Sequence, residues 1–206
     1  MKACRMIVWG AVLVALTLGP VPFLRSGETL AASEKTAKKH HAKGRAHARA
    51  PEKSVSAGSR LTSLEVGQLL GSHNRVRARV GLSPLAWSGK LASYAQAWAD
   101  HLAAIGGRME HRPRSGEWKQ VHGENLFMGT AGHYGVVDAV AMWEDERSSY
   151  DGGAVDMSNL HAYGHYTQLV WKNTRRVGCA KVAAGGNVIV VCNYDPPGNF
   201  LGQRPY

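Results

Sequence analysis

Apolar residues between Leu61 and Gly107 recur at helical spacing, in two runs that each open on a residue able to cap a helix. In the first run Thr62 precedes Glu65 by three positions, a capping-box pair whose side chains satisfy backbone N–H groups left over at a helix start. Leu69, Leu70, His73 and Val76 carry the pattern on until Gly81 stops it. The second run starts at Ser88 and sets Leu91, Tyr94, Ala95, Trp98, Leu102 and Ile105 on one face before Gly106-Gly107 ends it. A third helix fits Val136 to about Tyr150, with Val136, Ala139, Val140 and Trp143 on its apolar side.

Near the end the period changes. The stretch VGCAKVAAGGNVIVVCNY holds two β-branched runs separated by Gly185-Gly186, the pattern of a hairpin with a two-residue turn. Such a turn sets Cys179 directly opposite Cys192, within disulfide reach where the pair is of the non-hydrogen-bonded kind. Closing that loop contributes roughly 3 kcal/mol on a chain-entropy account. Helices ahead of an antiparallel hairpin predict an α+β domain with helices packed on a small sheet, and periodicity leaves the layer order open.

Upstream of Leu61 no such periodicity exists. Lys2 and Arg5 lead into an apolar run from Met6 to Leu18 that two prolines interrupt, short for a spanning helix and suited to a secretory signal over residues 1–32, with an uncleaved membrane anchor as the alternative. Residues 33–60 carry eight Lys/Arg against Glu34 and Glu52, with Val55 as the one branched apolar residue and no aromatic. That segment cannot bury enough surface to offset ordering, and reads as a disordered basic linker. It is either a solvated spacer or a tether to an anionic surface such as wall polymer or lipid headgroups. The net charge of +10 therefore describes mostly this linker. Residues 61–206 hold fourteen Lys/Arg and twelve Asp/Glu, which leaves no nucleic-acid footprint on the domain. Export removes Cys4 with the signal and favours the Cys179–Cys192 pair, the only other cysteines.

Chemistry can be sought in the domain's histidines: His73, His101, His111, His122, His133, His161 and His165. Acidic residues accompany some, as Glu124 does His122, and Glu144, Asp145 and Glu146 follow Trp143. Two His and two Glu brought together would suit zinc, or a proton-shuttling pair. His161 and His165 share a face only if their segment is helical, against which Gly164 weighs. There is no H-E-x-x-H, no G-x-S-x-G and no Gly-rich phosphate loop. Taken singly, each histidine reads as a hydrogen-bonded structural residue.

The run GHYTQLVW, together with HGENLF, HNRVRARVGLSPLAW and the ending CNYDPPGNFLGQRPY, resembles the CAP superfamily over about residues 63–206. That superfamily comprises cysteine-rich secretory proteins, antigen 5 and plant pathogenesis-related proteins of group 1. The resemblance implies a secreted protein, extracellular or periplasmic according to the cell, built as a three-layer α-β-α sandwich with a surface cleft. It implies a tetrad in that cleft of His111, Glu124, Glu146 and His165, in which His111 and His165 bind zinc or another divalent cation. His122 stands closer to the GEN motif and competes with His111 for the first place.

The ligands it implies are sterols, other lipids or wall-associated material, in a setting of defence or host interaction. The alternative is a zinc-dependent, peptidase-like hydrolase with Glu124 or Glu146 as base. Residues 151–162 read as a polar, glycine-rich rim of the cleft, with Met157 and Leu160 as its apolar members and Tyr150 and Tyr163 at its ends. Pro196–Tyr206 resembles an ending that plant members release as a peptide; otherwise it is a Pro/Gly-rich tail lying over the core. Where many members carry three disulfides, this chain can form one.

Overall fold

The Thr62 cap forms as its spacing predicts: its hydroxyl accepts from the Glu65 N–H at 3.2 Å, and the Glu65 carboxylate accepts from the Thr62 N–H at 2.9 Å. These contacts come from a computed structural model, which describes residues 58–206. The expected signal and the expected linker up to residue 57 lie outside the described residues. The linker's last three residues lie against a helix of the domain, where Ser93 donates to the Gly58 carbonyl at 2.7 Å and Arg60 pairs with Asp100.

In chain order the elements are helix α1 (Ser63–Ala78), strand β1 (Ala86–Trp87), helix α2 (Gly89–Ala104), strand β2 (Gly123–Thr130), helix α3 (Val136–Asp145) with a 3-10 turn (Glu146–Ser149), helix α4 (Leu160–Leu169), and strands β3 (Arg176–Ala184) and β4 (Asn187–Asp195). The sheet order is β1-β3-β4-β2. The three long strands are antiparallel, and the two-residue β1 adds a parallel edge. Gly185 and Gly186 both take positive φ, +57° and +78°, which a two-residue hairpin turn demands. Cys179 and Cys192 stand opposite one another with Cα atoms 4.1 Å apart and are joined by the disulfide that the register predicts.

Strand β4 is buried along both faces, and its side chains alternate between two cores. Ile189 and Val191 meet Ala95, Trp98, Ala99 and Leu102 of α2. Val188, Val190, Cys192 and Tyr194 point the other way, into a core built from α1, α3 and α4. The result is α2, sheet, then the other three helices: the α-β-α sandwich. Gly178 allows the close approach of α2, because a Cβ there would stand 2.2 Å from Ala92 N and 2.5 Å from Ser88 O.

Three expectations need adjusting. The third helix stops at Asp145, and the 3-10 turn completes the stretch to Ser149. Ile105 falls beyond the end of α2 and is exposed, so it does not belong to the buried face. The segment from Leu160 to Leu169 is a helix despite Gly164. The C-terminal segment holds it there: Asn199 donates to the Gly164 carbonyl at 2.8 Å and accepts from Thr167 Oγ1 at 2.8 Å.

Candidate functional site

A cleft of about 720 Å³ opens at the end of the sheet where β2 begins and β4 ends. Its wall combines the loop before β2, the exposed side of α4 and the C-terminal segment Pro197–Phe200. Gly123 of the GEN motif is required there, since a Cβ would lie 2.2 Å from Oε1 of Gln168, the glutamine of GHYTQ. Two motifs far apart in sequence thus fit together without a gap.

Three of the four expected side chains, His111, Glu124 and His165, line this cleft; Glu146 is not part of the lining and stands behind His165, so that the four form two carboxylate–imidazole pairs. Glu124 Oε1 faces His111 Nδ1 at 2.9 Å and accepts from the Arg112 N–H at 3.0 Å, while Oε2 accepts from Asn193 Nδ2 at 3.2 Å. Glu146 Oε1 faces His165 Nδ1 at 2.6 Å, while Oε2 accepts from the backbone N–H groups of His165 at 2.9 Å and Tyr166 at 3.1 Å. All four carboxylate oxygens are therefore committed. The His111 and His165 rings lie 6.4 Å apart, centroid to centroid, and within 25° of parallel. Because a carboxylate can only accept at Nδ1, the neutral ring carries its proton there, and Nε2 keeps the lone pair.

That tautomer is the one a metal needs, and the carboxylates behind the rings are the partners that orient metal-bound histidines. Zinc or a similar cation fits the donor set, with His111 and His165 as the residues that would hold it. Trp143 braces the second ring, stacking at 6.1 Å and 21°, and its indole donates to the Leu126 carbonyl at 3.0 Å. Asn125 donates to the His165 carbonyl at 3.0 Å, which ties α4 to β2.

His122 takes no part in the tetrad. It stands edge-on to Tyr94 at 5.0 Å with Nδ1 3.8 Å from Asp195, and burial pushes its pKa down. His161 lies exposed on the cleft's lining. His73 and His101 are elsewhere: His73 is sealed in the core, and His101 stacks on Trp98 at 4.8 Å. His133 is exposed in the turn after β2.

Sequence reasoning missed Arg112, which gives the loop before β2 its shape. Its guanidinium lies 3.7 Å over the Tyr94 ring and within 5.3 Å of the Trp98 and Trp118 rings, and donates to the Tyr94 carbonyl at 2.7 Å. This clamp on α2 brings His111 next to Glu124. Asn193, Gln168 and Asn199 were missed too, because their work depends on contacts between distant segments. A signal for Arg112 existed in the helical spacing of Tyr94 and Trp98, which stacks two aromatic faces on one side of α2.

The rim segment is less free than its composition predicts. Val155 is buried, and its N–H and carbonyl pair with Gln203 O and Gly202 N, each at 2.9 Å. Tyr163, expected at the rim's end, is buried within α4. The C-terminal segment lies over the core, with the Pro205 carbonyl accepting from Lys172 N at 2.6 Å and the Tyr206 and Tyr166 hydroxyls 3.3 Å apart.

The profile of the cysteine-rich secretory protein family, CAP, matches residues 70–194. This chain belongs to that family. Pathogenesis-related protein 1A of Nicotiana tabacum is 42% identical over 138 residues, spanning 66% of this chain and 78% of the tobacco protein. Pathogenesis-related protein 1 of Arabidopsis thaliana is 38% identical over 144 residues, 66% of this chain and 80% of its own length. Among solved structures, NaASP2 with Zn2+ superposes with a TM-score of 0.61 at 22% identity, covering 71% of this chain and 86% of that one. The hookworm platelet inhibitor gives 0.58 at 20% identity, covering 71% and 76%. These two likenesses establish the CAP fold, and the plant relatives place the chain beside the pathogenesis-related group.

Proposed function

We propose that this CAP protein is an extracellular, defence-related binding module whose cleft holds a divalent cation and a lipid or wall-associated ligand. One observation carries the reading: two imidazoles line the same cleft, each fixed by a carboxylate at Nδ1 so that Nε2 remains available. Support for the cation comes from NaASP2, a protein of the same fold solved with Zn2+. Support for the setting comes from the pathogenesis-related relatives. Support for an amphiphilic ligand comes from Val121, Met157 and Phe200, exposed apolar side chains that line the cleft beside its imidazoles. Outside the cleft, the basic linker adds a tether to anionic surfaces.

Hydrolysis is the weaker reading. A general base needs a carboxylate oxygen free to take a proton, and in Glu124 and Glu146 each oxygen already accepts a hydrogen bond.

Calorimetric titration of the protein with Zn2+ checks the cation. The expected result is a site whose affinity falls by roughly 10–100-fold in Glu124→Gln, which puts a neutral amide in place of the carboxylate behind His111, and whose binding is lost in His165→Ala. Titrations that are the same in the parent and in His165→Ala would remove the cation from the cleft. A peptidase signal abolished by chelation and by Glu124→Gln would instead favour the hydrolase.

A further inference from the structure

We propose that His161 is a third nitrogen ligand for the cation that the reading above places between His111 and His165; the inference rests on that reading. Its starting point is the helicity of α4, which sets residues four apart on one face, a turn from each other, with Cβ atoms about 5–6 Å apart. Two imidazoles at this spacing on one helix are an arrangement with which zinc is gripped. His161 also lines the same cleft as His111 and His165. Its side chain is exposed, and no hydrogen bond or ion pair holds it among the described residues.

The need for a third ligand follows from the pairs themselves. Zinc takes four ligands as a rule, three of them from the protein where one position stays open. His111 and His165 supply two. Glu124 and Glu146, the nearest carboxylates, are spent on the two Nδ1 positions and on backbone and side-chain N–H donors. Of the other ionisable groups in the lining, Arg112 and Arg114 are cations, and His122 packs on Tyr94 beside Asp195. His161 is the imidazole left over; as placed, the three imidazoles do not all come within 4.8 Å of one another, so binding would require side chains to turn toward the cation.

A rival cluster elsewhere does not compete. His73 lies close to Cys179 and Cys192, but the sulfurs are joined to each other, and both ring nitrogens of His73 are bonded, to the Leu69 carbonyl at 2.7 Å and the Tyr194 hydroxyl at 2.9 Å.

The test is Zn2+ titration of the full chain by calorimetry. Every protein tested, the parent included, carries His40→Ala, His41→Ala and His47→Ala, so that any zinc binding is read from the domain and not from the linker's histidines. On that background His161→Ala is expected to weaken binding at least about tenfold, and His161→Asp, which restores a ligand, to recover part of the loss. Zinc-edge absorption should report three imidazoles in the parent and two in His161→Ala. His161→Ala is an exposed helix substitution toward a better helix former, so folding is not at risk. Affinity unchanged to within about twofold in His161→Ala, with binding lost in His165→Ala, would overturn the third ligand and leave the two-histidine site standing. No binding in the parent would overturn both.

Discussion

Replacing Arg77 by Met is expected to cost about 2–3 kcal/mol of stability at neutral pH. Arg77 is fully buried, and among the described residues its guanidinium meets no carboxylate. Nε donates to the Ser83 carbonyl at 2.9 Å, one terminal nitrogen to the carbonyls of Leu169 and Trp171 at 3.0 Å each, and the other to Thr174 O at 3.3 Å. Leu169 ends α4, so the charge sits where a helix dipole is negative and meets a terminal carbonyl that no helical N–H reaches. Burial, with Arg175 as the next cause, lowers the pKa to about 10, which leaves the group charged at neutral pH.

Met reaches only as far as Nε and would leave the buried Leu169 carbonyl without a partner, at roughly 1–3 kcal/mol, while Trp171 O keeps the Thr174 N–H at 3.1 Å, Thr174 O keeps Arg175 at 3.3 Å, and Ser83 lies at the surface. Arg77→Lys should recover only part, since one ammonium cannot fork to four acceptors. Since α4 carries His165, the same substitution should loosen the cleft. Denaturant unfolding with the disulfide intact measures the loss, and a change below about 1 kcal/mol in Arg77→Met would refute this role.

The second large effect is acid sensitivity centred on His73. Its Nδ1 faces the Leu69 carbonyl, which can only accept, so that nitrogen carries the proton and Nε2 accepts from the Tyr194 hydroxyl. Both contacts suit the neutral ring. Burial lowers its pKa from 6.5 to about 4. Between those values the unfolded chain binds a proton that the native state does not, so stability is fully present above about pH 6.5 and falls as the pH drops toward 4. The loss amounts to roughly 3 kcal/mol in all.

His122, also lowered by burial, adds to the loss in the same direction. Comparison with His73→Gln isolates the larger share: the variant is less stable at neutral pH but has a flatter dependence on pH. Parallel curves for the two proteins would show that His73 is not the group responsible.

Much of this fold can be read along the chain because its local signals agree with its tertiary contacts. Thr62 and Ser88 cap helices where their spacing says they should, and Gly185-Gly186 sets a register that pairs Cys179 with Cys192. Strand β2 was not legible, for a reason that concerns the site. GENLFMGT places Glu124 and Asn125 at buried positions of an edge strand, where they bond His111 and the His165 carbonyl, so the apolar alternation that marks a strand is missing. Helix α4 was hidden likewise, since Gly164 and a run of β-branched and aromatic residues have low helix propensity. Asn199, thirty-five positions away, supplies what the local sequence lacks.

The tetrad itself was beyond spacing arguments. Nothing in the interval between His111 and Glu124 says that the chain doubles back, and His122 is the nearer histidine. The loop's path depends on Arg112 finding Tyr94, Trp98 and Trp118, a contact for which the sequence offers only the aromatic pair on α2 and not the cation that meets it. Resemblance selected His111, and the structure shows the clamp that sets it beside Glu124.

The most direct measurement for the cleft is anomalous diffraction at the zinc edge from crystals of the protein soaked in Zn2+. One ordered peak within bonding distance, about 2.0–2.1 Å, of Nε2 of both His111 and His165, with Glu124 and Glu146 still on the Nδ1 side of each ring, is the predicted result. A peak coordinated by the carboxylates with the imidazoles turned away, or ordered zinc elsewhere and none in the cleft, would contradict it.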